Sequence, residues 1–108
     1  MRIRLATKEA PVPFPPENSF AFAAGSVRAH APNASGVYGI FNSSQWIYVG
    51  ESGDIQRRLI DHLNDTEAGI KRFSPTGFIF ELQPVASRMD RQDTLSRELA
   101  VECKERLG

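Results

Sequence analysis

Two β-rich runs, Val37-Tyr38-Gly39-Ile40-Phe41 and Trp46-Ile47-Tyr48-Val49, stand on either side of the polar segment Asn42-Ser43-Ser44-Gln45. Branched and aromatic side chains suit a pleated, half-buried surface, and a short polar spacer turns the second run back on the first. The segment predicts an antiparallel hairpin, and the rest of the chain must pack on it. Ala31-Pro32-Asn33-Ala34-Ser35-Gly36 reads as the loop leading in. Gly50-Glu51-Ser52-Gly53-Asp54 punctuates the second run. Ser52 or Gly53 is the expected N-cap of a following helix, with Asp54 in its first turn. That helix carries Ile55, Leu59, His62 and Leu63 on one stripe and should end near Asn64.

Residues 65–76 are polar, with Gly69 and Pro75, and predict a loop with at most a short helix. Phe78, Phe80 and Leu82 alternate with Ile79, Glu81 and Gln83, which marks a third strand stopping at Pro84. From Asp93 onward Leu95, Leu99, Cys103 and Leu107 recur every four residues, an amphipathic C-terminal helix. At the other end, residues 8–18 hold four prolines and read as an extended arm that Phe14 anchors on the domain. Phe20, Phe22 and Val27 suggest a strand or two before the hairpin. The expectation is an α+β fold: a small, mostly antiparallel three-stranded β-sheet flanked by helices, with an extended Pro-rich N-terminal arm. Residues 1–33 form the arm and short strands packing on the domain, and residues 34–108 the domain itself.

The chain has 108 residues, enough for one core. Lys plus Arg and Asp plus Glu each number 13, so no bulk charge draws the protein to a polyanion, and a basic patch would have to be local. The lone Cys103 makes no internal disulfide and suits a reducing compartment. No apolar run approaches the ~18 residues of a membrane helix, so a cytoplasmic protein without membrane contact is expected.

At Gly36-Val37-Tyr38 and Tyr48-Val49-Gly50, with the tyrosines ten positions apart, the sequence resembles the GIY-YIG nuclease family. Arg58 stands eight residues after Gly50 and His62 four residues further, as in the family pattern. A glutamate opening the C-terminal helix completes that pattern, and Glu98 is its match. The resemblance implies an endonuclease that hydrolyses phosphodiester bonds. Tyr38 and Tyr48 would position or deprotonate the attacking water, Arg58 would stabilise the phosphoryl group, His62 would assist, and Glu98 would hold Mg²⁺ (or Mn²⁺). It also implies that Gly50 allows close backbone approach. Glu51 departs from it, standing where a basic or small polar residue is frequent.

The residue types suit that chemistry. Hydrolysis needs an oriented water, a proton acceptor and an offset for charge on the phosphoryl oxygens. Tyrosines on both strands of a hairpin could share one sheet face. A free phenol with pKa ~10 is a poor base at neutral pH, so a nearby cation must lower it, and Arg58 or a metal could do so. Arg58 offers a planar fork matched to phosphate and lies one helical turn before His62. Lys71 and Arg72, with Arg57, Arg88, Arg91 and Arg97, could line a basic groove, and Gly36 and Gly50 would bring the backbone close to substrate. DNA is the expected substrate, with a protein partner or a homodimer supplying target choice. Two rivals stand beside this reading: a catalytically silent nucleic-acid- or protein-binding module, and an RNA-cleaving nuclease.

Overall fold

The computed structural model describes Phe14, residues 16–64 and residues 69–99. The hairpin forms from β2 (Gly36–Phe41) and β3 (Trp46–Ser52). Its turn is closed by Asn42, whose Oδ1 accepts the backbone N–H groups of Ser44 and Gln45, each at 2.9 Å. A short amide side chain thereby stands in for a backbone turn. Tyr38 lies opposite Gly50 and Ile40 opposite Tyr48. The two tyrosines are diagonal neighbours on one face, not a directly facing pair.

Among the described residues the sheet has four strands in the order β1-β4-β2-β3, one more than the sequence predicts. The extra strand is β1 (Ser19–Ala21), which pairs antiparallel with β4 (Gly77–Leu82). Only part of the expected N-terminal strand region is extended. Val27 belongs instead to helix α1 (Ala24–His30), where it is fully buried. The central strand β2 is buried along its whole length, because β3 and β4 flank it and helices cover both faces.

One face carries Tyr38, Ile40, Tyr48, Phe78 and Phe80, which pack with Val27 of α1 and with Ile55 and Leu59 of α2 (Ile55–Asn64). The other carries Val37, Val49 and Ile79, which pack with Phe14, Leu95 and Leu99. Burying a side chain such as Leu59 contributes roughly 1.5–3 kcal/mol. The start of α2 is fixed by the loop before β2: the N–H groups of Ile55 and Gln56 bond the carbonyls of Ala34 and Pro32. The cap is Asp54, whose Oδ1 accepts the Arg57 N–H at 3.0 Å. Ser52 lies further out, its Oγ accepting the Asp54 N–H at 2.9 Å. The expected cap at Ser52 or Gly53 is thus displaced to the next polar side chain.

Among its described residues, the expected loop after α2 contains a 3-10 turn, Lys71–Phe73. The last helix, α3, spans Val85–Leu99 and begins eight residues before the predicted start at Asp93. Its first turns were hidden by composition, since Val85 and Met89 are exposed and mark no buried stripe. Two ion pairs hold this half of α3 to the sheet: Arg88 to Glu51 at 2.5 Å, and Arg91 to Glu81 at 2.9 Å. Most of the Pro-rich arm, together with Cys103 and Leu107, lies outside the described residues.

Candidate active site

Tyr38, Tyr48, Arg58 and His62 converge on the α2 face of the hairpin. The Tyr38 and Tyr48 rings are 6.1 Å apart, and the His62 ring lies 5.7 Å from the first and 5.4 Å from the second. The Tyr38 hydroxyl and His62 Nε2 are hydrogen-bonded at 2.8 Å. His62 is only 2% exposed, so this bond supplies the polar partner that a buried imidazole needs. Sequence spacing explains the meeting: Ile55, Leu59 and His62 share one side of α2, and that side lies on the tyrosines. Arg58, just before Leu59, leaves this stripe and reaches the solvent side, where its Nη1 lies 3.7 Å from Asp61 Oδ2.

Gly50 belongs to the same cluster. A methyl group there would collide with the Tyr38 hydroxyl and lie 2.8 Å from the Tyr48 ring. The glycine therefore admits the phenol of the facing strand. At Gly36 a methyl would lie 2.8 Å from the Ile55 side chain and collide with the Glu81 carbonyl, so this glycine lets α2 and β4 close on β2.

The electrostatics depart from expectation. The Tyr38 pKa is pushed well above its ordinary value of 10.0, chiefly by burial and also by Tyr48 and Glu51, while Arg58 opposes the shift without reversing it. Arg58 or a metal was expected to make a phenolate accessible; with Arg58 alone, burial wins and Tyr38 stays a protonated hydroxyl at neutral pH. The imidazole of His62 is then the better proton acceptor of the pair.

Glu98 does not open α3. It is the fourteenth of that helix's fifteen residues and is exposed, and its described electrostatic interaction is with Arg91. The α3 side chain that reaches the tyrosine-bearing strand is Gln92, 5% exposed, whose Nε2 donates to the Val49 carbonyl at 3.1 Å. Sequence reading missed it, although Gln92, Leu95 and Leu99 continue one helical stripe. Six residues separate Gln92 from Glu98, which carries Glu98 about 9 Å further along the axis and onto another face. Arg88 and Gln92 contact Glu51 and Val49 in turn, so α3 runs antiparallel to β3, toward the hairpin turn.

A hard divalent cation seeks anionic oxygen donors. The carboxylate that raises the Tyr38 pKa is Glu51, and Arg88 holds it in an ion pair. From α3 the strand receives an amide, Gln92. Among the described residues no group of three or more His, Cys, Asp or Glu is gathered for a metal. Among the described residues, the donors at the tyrosine cluster do not fit a preformed divalent-cation site. Of the other expected substrate-binding residues, Arg57 is exposed on α2, and Lys71 and Arg72 are exposed on the 3-10 turn. The Phe73 carbonyl that ends this turn accepts the Asn42 side-chain amide, which places it at the hairpin-turn end of the sheet. The expected basic groove is further reduced because Arg88 and Arg91 are committed to Glu51 and Glu81.

The profile of the GIY-YIG catalytic domain matches residues 34–103. No functionally curated protein matches the chain. Among solved structures, the chain is similar to the GIY-YIG N-terminal endonuclease domain of UvrC from Thermotoga maritima bound to its catalytic divalent cation, magnesium. The similarity is 19% in identity, with a TM-score of 0.64, over 73% of this chain and 96% of that one. A point mutant of the same domain, also bound to its catalytic divalent cation, gives 20% identity and a TM-score of 0.64 over 74% and 96% of the two chains. With the two tripeptides folded into one hairpin and the family profile spanning it from loop to last helix, the chain belongs to the GIY-YIG endonuclease family.

Proposed function

We propose that this domain hydrolyses phosphodiester bonds in DNA at the Tyr38, Tyr48, Arg58 and His62 cluster. The observation that carries the reading is the buried Tyr38–His62 hydrogen bond, with Tyr48 against both rings and Arg58 at the solvent side. Arg58 meets the phosphate and offsets charge developing on its oxygens. The tyrosine hydroxyls orient the attacking water. As its oxygen bonds to phosphorus and the P–O bond to the leaving oxygen breaks, the water proton passes through the Tyr38 hydroxyl to His62 Nε2, and the departing oxygen takes a proton from solvent. Arg57, Lys71 and Arg72 extend the contact to flanking phosphates. We place this activity in the cytoplasm, with a protein partner or second copy of the chain supplying target choice.

One observation favours a second reading, a nucleic-acid-binding module without catalysis: Gln92 and the Glu51–Arg88 pair occupy the strand edge where anionic ligands for a cation would be useful. A single panel separates the two. The protein is incubated with single-stranded, duplex and branched DNA and with RNA, with and without Mg²⁺ or Mn²⁺, beside Arg58→Ala. Cleavage of DNA that is lost in the variant supports the nuclease. Retained cleavage rejects the site, preference for RNA transfers the activity to that substrate, and binding without cleavage by the wild type supports the module.

A further inference from the structure

We infer that Gln92 fills, with its amide, the position from which α3 would otherwise present a cation-binding carboxylate, so that this chain binds divalent cations only weakly at the tyrosine site. β3 is an edge strand, and its Val49 carbonyl lies one residue from Gly50, the glycine against which the Tyr38 hydroxyl rests. Gln92 donates to that carbonyl from a buried position on α3. An amide is suited to the role because it brings an N–H to a buried acceptor without bringing charge.

A glutamate at the same position has the same length but no N–H. Its ionised carboxylate would place oxygens beside the Val49 carbonyl oxygen, a cluster of hard acceptors in a buried setting. Two responses relieve it. The carboxyl takes a proton, which burial favours, or a hard cation enters and satisfies both groups. The natural Gln92 needs neither. Nearby, Arg88 already balances the charge of Glu51, so the strand edge is electrostatically closed without a metal.

The inference deepens the proposed site but does not rest on cleavage, since metal binding is read without nucleic acid. Mn²⁺ alone is titrated calorimetrically into wild type, Gln92→Glu, Gln92→Asp and Glu98→Gln near neutral pH, with thermal unfolding followed at each metal concentration. The wild type is expected to show no saturation below millimolar Mn²⁺, and Gln92→Glu to bind about tenfold or more tightly, the scale on which single side chains near a metal set affinity. Its gain should fade as the pH falls and the carboxyl is protonated. If Gln92→Glu is too unstable for calorimetry, a metal-dependent rise in its melting temperature, or the shorter Gln92→Asp, reads the same binding. Micromolar binding by the wild type would overturn the inference, and its loss in Glu98→Gln would return the metal to that residue. A folded Gln92→Glu no tighter than wild type would also overturn it. Failure of cleavage in the substrate panel leaves these outcomes untouched, so the two readings fail separately.

Discussion

The two faces of the sheet use the same strands for different ends. On the α2 face the buried layer contains hydroxyls and an imidazole, Tyr38, Tyr48 and His62, with Arg58 at its margin. On the α3 face Val37, Val49, Ile79, Leu95 and Leu99 pack as hydrocarbon, and the polar groups there are ion pairs and an amide that fasten the helix. Period-two alternation along β2 produces this division, since Val37 and Tyr38 are adjacent in sequence and point opposite ways. The buried hydroxyls and imidazole thus gather on one face, and the polar fastening of a helix on the other.

The contrast breaks if cleavage is insensitive to the α2 face. Arg58→Ala is expected to lower the DNA cleavage rate by roughly 10²–10³-fold, as loss of a donor to a developing oxyanion does, measured in single-turnover assays with the variant's fold checked by circular dichroism. Packing beneath the site should come next. Leu59 is fully buried, so Leu59→Ala should cost about 2–5 kcal/mol in urea unfolding. Gly50→Ala forces a methyl against the tyrosines and should cost about 1–3 kcal/mol, with activity falling as the Tyr38 hydroxyl is displaced. The helix cap is smaller: Asp54→Ala should cost ~1 kcal/mol. The Asp54 pKa is lowered, first by the Arg57 N–H and then by Asn33, so its contribution is present above the unfolded carboxylate pKa and lost as pH falls through the folded one. The smallest effect sharpens the comparison. Glu98→Ala, exposed on α3, should change stability by no more than about 0.5 kcal/mol and leave cleavage unchanged. A large loss of cleavage would return a catalytic role to the α3 face.

The alkaline limb tests the same division through Tyr38. A raised folded-state pKa means that its contribution is fully present below the unfolded tyrosine value of about 10 and is lost as pH rises through the higher folded value. Urea unfolding of wild type against Tyr38→Phe across that window should show a steeper alkaline decline in the wild type.

What was legible in the sequence follows from these physics. The hairpin, the α2 stripe and the strand ending before Pro84 were readable because their apolar periods match their burial. Tyr38, Tyr48, Arg58 and His62 could be named together because motif spacing and helical periodicity agreed on them. The first half of α3 was not readable, because its attachment to the sheet runs through Arg88, Arg91 and Gln92, polar residues that a hydrophobic pattern does not register. The misplaced start then made Glu98 look like the opening of a helix that begins at Val85. Strand β1 was half visible in Phe20 and Phe22, but three residues are too few to show a period apart from the helix that follows. The direction of the Tyr38 shift was also beyond the sequence, because it depends on burial more than on the charge of Arg58.

The Gln92–Val49 bond has a consequence for how the molecule coexists with its own copies. A sheet edge with unpaired backbone groups is a template for strand addition and aggregation. Here one edge is the three-residue β1, too short to recruit a partner strand effectively, and the other, β3, has α3 laid against it with a side chain seated on its backbone. The amide seated on the Val49 carbonyl thus also occupies an acceptor that an added strand would use.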